Sequence, residues 1–311
     1  MSFAAEVKAE VASKTMEEKD GRSCLSSLLQ LLSSLVLSKG GFRLVVTTEN
    51  AAVARLVVRL IKEIYQAEVE IFVKKKMNLK KNSIYGIRIQ FQAKELLEDL
   101  GLWSSRGLLE KPLSKMIGST SQVRAYLSGC FLATGSMNHP EKTNYHLEIS
   151  TNSLNHAEFI VQQLEKFNIY AKVIQRRSKQ VVYLKSAEKI ADFLRLIEAD
   201  EAVMNYENIR ISRDFSNSLT RLNNMDVANE VKSQNAAMKQ LEDIHILEES
   251  GMVHRLDSKL VEVIQLRKEY PESSLVELCF LYEQKTGTKI SKSGMKHRFV
   301  KIHEQAEKSS S

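Results

Sequence analysis

Cysteine is scarce in this 311-residue chain, which contains only Cys24, Cys130 and Cys279. The three lie far apart among apolar residues and form no Cys-x-x-Cys or Cys/His spacing, so the sequence predicts neither a zinc site nor a disulfide framework. Isolated buried thiols of this kind fit a reducing cytoplasm. We therefore expect a cytoplasmic protein with no resident metal or cofactor.

Long apolar runs are also lacking. The first residues, Met1 to Asp20, are rich in Glu and Lys and have no apolar centre, which argues against a signal peptide. The longest apolar run, Leu25 to Leu37, is interrupted by serine and glutamine and is shorter than the roughly 20 residues of a membrane-spanning helix. The sequence therefore predicts no membrane partner.

Positive charge is in only mild excess over negative charge. The formal net charge is +7 and the pI is about 9.1, which permits a nucleic-acid partner without requiring one. The length predicts about two domains. Because 43% of the residues are hydrophobic, the chain has enough apolar surface for a substantial core.

One order of elements occurs twice along the chain. The first copy is predicted to have helices at 24–35, 50–65 and 93–100, with strands at 42–47, 67–74 and 83–91. The second is predicted to have helices at 123–137, 155–167 and 187–197, with strands at 145–152, 170–175 and 180–184. An amphipathic helix from Ser2 to Met16, closed by a turn at Lys19-Asp20-Gly21, precedes them. A repeat of this length indicates a duplicated α+β unit.

The first helix of the second copy combines large apolar residues with small ones. The small residues are Gly129, Cys130, Ala133 and Gly135. They leave room for a second backbone to lie close. The stretch Leu127 to Gly135, followed by an alternating strand, resembles the signature of the LAGLIDADG homing-endonuclease half-domain. The resemblance implies a two-repeat saddle of antiparallel sheet, joined through the first helices. The alternative is a buried helix of another α/β protein.

Carboxylates are absent from this helix in both copies. In the LAGLIDADG family, a carboxylate just before the last glycine holds the catalytic metal. Here that position is Thr134 in the second copy and lies near Leu32 in the first. Neither Leu127 to Met137 nor Cys24 to Leu37 contains Asp or Glu, and two-metal phosphodiester cleavage requires them. The sequence predicts that the protein is not an enzyme; the alternative is a homing endonuclease or related nuclease.

The middle of the chain, from about Asn205 to Gly251, differs from both copies. We expect a connector at 208–214, an asparagine-rich run, and a helix at 233–249. The candidate DNA contacts in this segment are Arg221, Asn224, Asn229 and Lys232. Such side chains suit phosphate and base-edge contacts, although asparagine also marks turns and helix caps.

Three predicted helices follow, and they resemble a helix-turn-helix. The first covers 257–270, and Ser274 opens the second through a capping box. A glycine-containing turn at 285–289 leads to Ser291, which caps a third helix at 292–305. From Lys285 to Lys301 there is no acidic residue. The third helix is therefore predicted to enter a major groove of double-stranded DNA.

A helical wheel separates the residues of the third helix. Met295, Phe299 and Ile302 are predicted to face the core. The predicted DNA-binding residues of this domain are Ser274, Ser291, Lys292, Ser293, Lys296, His297, Arg298 and Lys301. We expect base contacts from Ser293, Lys296 and His297 and phosphate contacts from Lys292 and Lys301. Arg298 borders the core, where it either reaches phosphate or covers Phe299.

Two motifs resemble those of the WhiA family of bacterial regulators, first known as sporulation transcription factors. The run Ser291 to Phe299 resembles the family's recognition helix. The run Asn223 to Asn229, with Ala236 to Gln240, resembles its central motif, with Met225 where a cysteine is expected. The resemblance covers nearly the whole length. It implies transcription regulation, roles in cell division and chromosome segregation, and a nucleoid-associated protein.

The predicted organisation has four parts. They are a first LAGLIDADG-like repeat at 1–115, a second at 116–204, a connecting helical segment at 205–254 and a helix-turn-helix domain at 255–311. Double-stranded DNA is the expected partner, with division or transcription proteins as further ones. A pure protein-docking role is the main alternative, in which basic loops contact acidic division proteins. The candidates in the two repeats for weak DNA contact, or for such docking, are Lys74, Lys75, Lys76, Lys80 and Lys81 in the first and Arg176, Arg177 and Lys179 in the second. RNA binding lacks a supporting aromatic motif.

Overall fold

The computed structural model describes residues 2–38, 41–75, 83–89, 92–142 and 144–310. The chain divides into two compact units, Met1–Arg213 and Asp214–Ser311. The first unit is α+β and the second is helical. The predicted α+β class is confirmed. Within the described residues, no helix is both long and apolar enough to cross a membrane.

The first repeat follows an N-terminal helix. Its elements are α1 (Phe3–Ser13), α2 (Glu18–Leu32), β1 (Ser33–Ser38), β2 (Gly41–Thr48), α3 (Ala51–Tyr65), β3 (Glu70–Lys75), β4 (Ser83–Ile89) and α4 (Ala93–Asp99). The side chain of Asn50 caps α3 by accepting hydrogen bonds from the backbone N–H groups of Ala52 and Val53. A short connection with β5 (Trp103–Ser104) and β6 (Gly107–Leu108) leads on to the second repeat.

The second repeat has the same order of elements. They are α5 (Thr120–Thr134), β7 (Gly135–Met137), β8 (Leu147–Thr151), α6 (Leu154–Glu165), β9 (Lys172–Arg176), β10 (Lys179–Leu184) and α7 (Ala187–Leu196). The sheet order is β1-β2-β4-β3 in the first repeat and β7-β8-β10-β9 in the second, antiparallel throughout. The duplication predicted from the sequence is therefore present at the level of strand order.

Two predicted helix ends were wrong for one reason. The helices expected to reach residues 35 and 137 end at Leu32 and Thr134, and each chain segment continues as a strand, β1 or β7. Short apolar runs fit helix and strand equally well by periodicity. Here the strand conformation is stabilised by antiparallel pairing of β1 with β2 and of β7 with β8. Each repeat consequently has four strands rather than the predicted three.

The turn predicted at Lys19-Asp20-Gly21 was also wrong. These residues lie in the first turns of α2, which begins at Glu18. Gly21 is placed there for packing, since a Cβ atom at this position would lie 3.2 Å from Cδ2 of Leu60 on α3. The glycine therefore marks a close helix–helix approach rather than a chain reversal.

Helices α2 and α5 form the centre of the first unit. A Cβ atom on Gly129 would lie 2.0 Å from Oγ of Ser27 and 2.6 Å from the carbonyl oxygen of Cys24, so the two backbones are nearly in contact. The buried serines are satisfied internally: Ser27 donates to the carbonyl of Cys24 at 2.9 Å, and Ser26 to that of Leu100 at 2.8 Å. The small residues thus have the packing role expected from the sequence.

A buried histidine connects α5, α6 and β8. The Tyr126 hydroxyl donates to Oε1 of Gln30 at 2.7 Å and lies 2.8 Å from Nε2 of His156, while Nδ1 of His156 lies 3.0 Å from the Thr151 hydroxyl. This arrangement fits a neutral ring that donates through Nε2 and accepts at Nδ1. Burial lowers the pKa of His156 from 6.5 to about 4 because the charged form would lose its hydration.

Acid should therefore destabilise the first unit through His156. The folded-state pKa lies below the unfolded one, so the stabilisation is complete above pH 6.5 and is lost as the pH falls towards about 4. Between pH 7 and pH 5 the wild type should lose about 2 kcal/mol more unfolding free energy than His156→Gln. Denaturant titrations at both pH values measure this difference. Parallel losses in the two proteins would contradict the assignment.

The connector and turns predicted in the middle segment were wrong. Residues 208–214 and the asparagine-rich run belong to one continuous helix, α8 (Asp200–Glu249). Two hydroxyl side chains between these segments bond to carbonyls of the helix itself. Ser218 donates to the carbonyl of Asp214 at 2.8 Å and Thr220 to that of Ser216 at 2.9 Å.

The second unit packs three further helices against the end of α8. They are α9 (Ser258–Glu269), α10 (Leu275–Thr286) and α11 (Lys292–Ser310). The core includes Ile244 and Leu247 of α8 and Leu278 of α10. Buried Arg267 is held by Oε1 of Gln240 and by three backbone carbonyls of the segment between α9 and α10. The charge is thus compensated by hydrogen bonds.

Candidate nucleic-acid interface

Helix caps mark both ends of α10 and the start of α11. Ser274 accepts from the N–H of Glu277 at 3.3 Å, and Glu277 accepts from the N–H of Ser274 at 2.7 Å, which completes the capping box predicted from the sequence. Gly287 ends α10 with a φ of +67°, a conformation that favours glycine. Ser291 then accepts from the N–H of Gly294 at 3.1 Å. The predicted contacts Ser274 and Ser291 thus both act as caps.

The third helix has the two faces expected from the wheel. Met295, Phe299 and Ile302 are buried in the core of the second unit. The exposed candidates are Lys292, Ser293, Lys296, His297 and Lys301. An exposed arc of α11 that carries lysine, serine and histidine, with no acid on the helix before Glu304, attracts the polyanionic backbone, although Asp257 at the start of α9 lies near Lys301.

Arg298 is placed differently from the other candidates. Its guanidinium carbon lies 4.7 Å from the ring centroid of Tyr282 on α10, and its Nη1 atom is buried without a hydrogen-bond partner among the described residues. The Tyr282 hydroxyl donates to Glu262 at 2.6 Å. Arg298 therefore packs α11 against α10 through a cation–π contact.

The candidates on α8 do not share one surface. Arg221, Asn224, Asn229 and Lys232 are all exposed. At 100° per residue, Arg221 and Lys232 lie within about 20° of each other, whereas Asn224 and Asn229 are about 140° apart. A single duplex lying along one side of the helix would therefore meet Arg221 and Lys232 together, but not all four.

Basic residues also lie on the sheets of the first unit. Lys74 and Lys75 end β3 in solvent, and Arg176 ends β9 with an ion pair of 3.0 Å to Glu148. That acid offsets part of the positive charge of its sheet. The remaining candidates of the hairpin are Arg177 and Lys179, which are exposed. The candidates Lys76, Lys80 and Lys81 lie outside the described residues.

A cleft of about 710 Å³ lies where α2 and α5 end. Leu32, Gly135 and Glu49 line it, and Oγ1 of adjacent Thr134 is buried without a hydrogen-bond partner in the described chain. The ends of the two helices thus carry Leu32 and Thr134, the positions identified from the sequence. Over the described ranges, no group of three or more His, Cys, Asp or Glu side chains is placed to hold a metal.

A lysine that the sequence analysis did not single out also lines this cleft. Lys8 extends from α1, with Nζ 5.7 Å from the ring centroid of Phe131, and burial lowers its pKa to about 8. A lysine in the cleft opposes the binding of a divalent cation. The sequence signal for this lysine is its place beside Val7 on the amphipathic helix.

Three family models match consecutive parts of the chain. They describe the WhiA N-terminal LAGLIDADG-like domain at residues 18–103, the WhiA LAGLIDADG-like domain at 123–216 and the WhiA C-terminal HTH domain at 219–306. The probable cell division protein WhiA of Staphylococcus saprophyticus is 41% identical over 308 residues, covering 99% of this chain and 97% of that protein. The chain belongs to the WhiA family. The resemblance drawn from its motifs is therefore confirmed.

Further WhiA proteins and structures are similar to this chain. The Staphylococcus haemolyticus protein of the same name is 42% identical over 308 residues, with the same two coverages. The full-length DUF199/WhiA structure from Thermatoga maritima covers 99% of both chains at 23% identity, with a TM-score of 0.62. A structure of the N-terminal LAGLIDADG domain of DUF199/WhiA covers 63% of this chain and 90% of its own at 25% identity, with a TM-score of 0.51. The LAGLIDADG-like fold with a helix-turn-helix region is thus confirmed. The four predicted domain limits remain a prediction.

Proposed function

We propose that this WhiA protein is a sequence-specific DNA-binding regulator that reads double-stranded DNA through α11. The observation that carries the proposal is the exposed, acid-free arc of α11, which the capped turn after α10 presents. Ser293, Lys296 and His297 contact base edges in the major groove, and Lys292 and Lys301 contact phosphates. A helix-turn-helix places the first turns of its last helix in that groove.

The same site suggests lesser roles for the other candidates. Arg298 supports α11 from behind rather than contacting DNA, because its guanidinium lies on Tyr282. On α8, Lys232 adds a phosphate contact. Weaker DNA contacts come from Arg221, Asn224 and Asn229. The basic ends of the sheets in the first unit add weak, sequence-independent contact or serve as a docking surface for division or transcription proteins.

The names of the relatives support a proposal for the cellular role. Staphylococcal proteins 41% to 42% identical over nearly the whole chain are named probable cell division proteins. We propose that this protein regulates transcription in the cytoplasm, associated with the nucleoid, and influences cell division and chromosome segregation. A purely protein-docking role would instead leave function intact when α11 is removed.

Recovery of fragmented chromosomal DNA on the purified full chain tests the DNA-binding proposal. At near-physiological salt, sequencing of the bound fragments should reveal one short enriched motif. The same experiment on the chain truncated before Asp257 should give none. Uniform recovery that declines steeply with salt would show phosphate contact alone and would contradict sequence-specific reading.

We also propose that the LAGLIDADG-like domain has no nuclease activity. Leu32 and Thr134 cannot bind the cations that activate water, and Lys8 lines the same cleft. Supercoiled plasmid incubated with the chain and Mg²⁺ or Mn²⁺ should remain supercoiled on a gel. Metal-dependent nicking that co-purifies with the chain and disappears with EDTA would contradict this prediction.

A further inference from the structure

Four large apolar side chains lie in solvent along one side of α8. Phe215, Leu219, Leu222 and Met225 are 65%, 45%, 53% and 54% exposed. At 100° per residue the four fall within an arc of about 120°. Single exposed apolar residues are ordinary on protein surfaces, but four neighbours on one helix face indicate a surface that another protein covers.

Two opposite charges border this apolar face on the same edge. Asp214 and Arg221 are seven residues apart, so they project from the same side of the helix about two turns from each other. Within the described chain, neither the carboxylate of Asp214 nor the guanidinium of Arg221 forms a hydrogen bond or ion pair; the Ser218 hydroxyl bonds only to the Asp214 carbonyl. The edge therefore presents an acid and a base at a spacing that an identical helix can complement.

We propose that this apolar face pairs two copies of the chain, with α8 antiparallel to α8 of the second copy. A two-fold axis near residues 217 and 218 brings Asp214 of one copy opposite Arg221 of the other, and the same pair forms again by symmetry. Parallel pairing in register would instead place each charge level with its own duplicate. Charge complementarity thus selects a second copy and its direction.

The packing near the axis supports the same arrangement. Phe215 of one copy lies within one residue, about 1.5 Å along the axis, of the level of Leu219 of the other, so two exposed apolar side chains meet. The Ser218 hydroxyl already donates to the carbonyl of Asp214 at 2.8 Å, so covering it leaves no unsatisfied donor. An interface built from these few side chains belongs to the small class, so we expect association in the micromolar range.

Sedimentation velocity of the full chain, without DNA, tests the proposal from about 1 to about 100 μM. The mass should rise towards twice the 35.4 kDa of one chain. In the Leu222→Asp variant the mass should stay at that of a single chain at every concentration. Val227→Asp is the matched control, since Val227 is 59% exposed on the opposite side of the same helix and should leave the rise unchanged. Circular dichroism verifies that both variants keep their helix content.

Charge exchange tests the antiparallel direction. Asp214→Arg and Arg221→Asp should each weaken association at least about fivefold, because each creates two like-charge contacts across the axis. The double exchange should restore it. The mass of a single chain at all concentrations, or equal effects of Leu222→Asp and Val227→Asp, would overturn the proposed face. If the double variant associates as weakly as the single variants, the antiparallel direction is overturned. None of these outcomes bears on DNA reading by α11.

Discussion

Replacing Lys296 and His297 together by alanine should abolish most of the specific DNA affinity while leaving the fold intact. Both side chains are exposed on the first turns of α11 and contribute nothing to the core of Met295 and Phe299. Base contacts are worth about 1–3 kcal/mol each. Loss of two should therefore weaken binding to the enriched motif at least about 30-fold. Fluorescence anisotropy with the motif and with a scrambled duplex measures the change.

Lys308→Ala is the matched control for this experiment. Lys308 is also exposed on α11 and carries the same charge, but it lies twelve residues beyond Lys296, about 18 Å along the helix. Removal of this lysine should cause only a small change in affinity, and the change should be the same for the motif and for the scrambled duplex. If the double variant retains full affinity for the motif while Lys308→Ala loses it, the bases are read by another surface.

Gly129→Ala should be among the most destabilising single substitutions in the chain. The new Cβ atom would lie 2.0 Å from Oγ of Ser27 and 2.6 Å from the carbonyl oxygen of Cys24. Ser27 can rotate, but the carbonyl belongs to the backbone of α2, so the two central helices must separate. Overpacking of this kind costs about 1–3 kcal/mol and more where backbone must move. We expect about 3 kcal/mol, a shift of roughly 6–12 °C in the melting temperature of the first unit.

Gly118→Ala provides the comparison for this substitution. It adds the same methyl group, but the nearest atom is the flexible side-chain oxygen of Gln122 at 3.3 Å, and the backbone there is right-handed. Its unfolding temperature should stay within a few degrees of the wild type. Calorimetry of both variants measures the difference. Equal melting temperatures would show that the approach of α2 and α5 is looser than the contact at Gly129 indicates.

The sequence predicted the elements that depend on local chemistry. Ser274 and Ser291 cap helices as expected, because an N-cap needs only a side-chain acceptor near free N–H groups. The small-residue helix was also recognisable, because Gly129 and its neighbours are required wherever two backbones approach this closely. The core of α11 followed from helical periodicity alone.

The errors arose where contacts with distant parts of the chain determine the local structure. Strands β1 and β7 exist because β2 and β8 pair with them, and nothing in the run after Leu32 shows that partner. The continuity of α8 was missed because the asparagines within it are equally typical of turns and helix caps, so composition does not distinguish the two. The Arg298 contact required the position of Tyr282 on α10, which is set by packing.

The most direct test of base reading by α11 is photo-crosslinking from position 297 of the full chain. A photoreactive amino acid in place of His297 should crosslink to one or two bases of the enriched motif, located by a primer-extension stop. The same group in place of exposed Lys308 should give no base crosslink. Crosslinks confined to the enriched motif would support the proposed function. Base crosslinks from position 308 but none from 297, on DNA that still binds specifically, would contradict it.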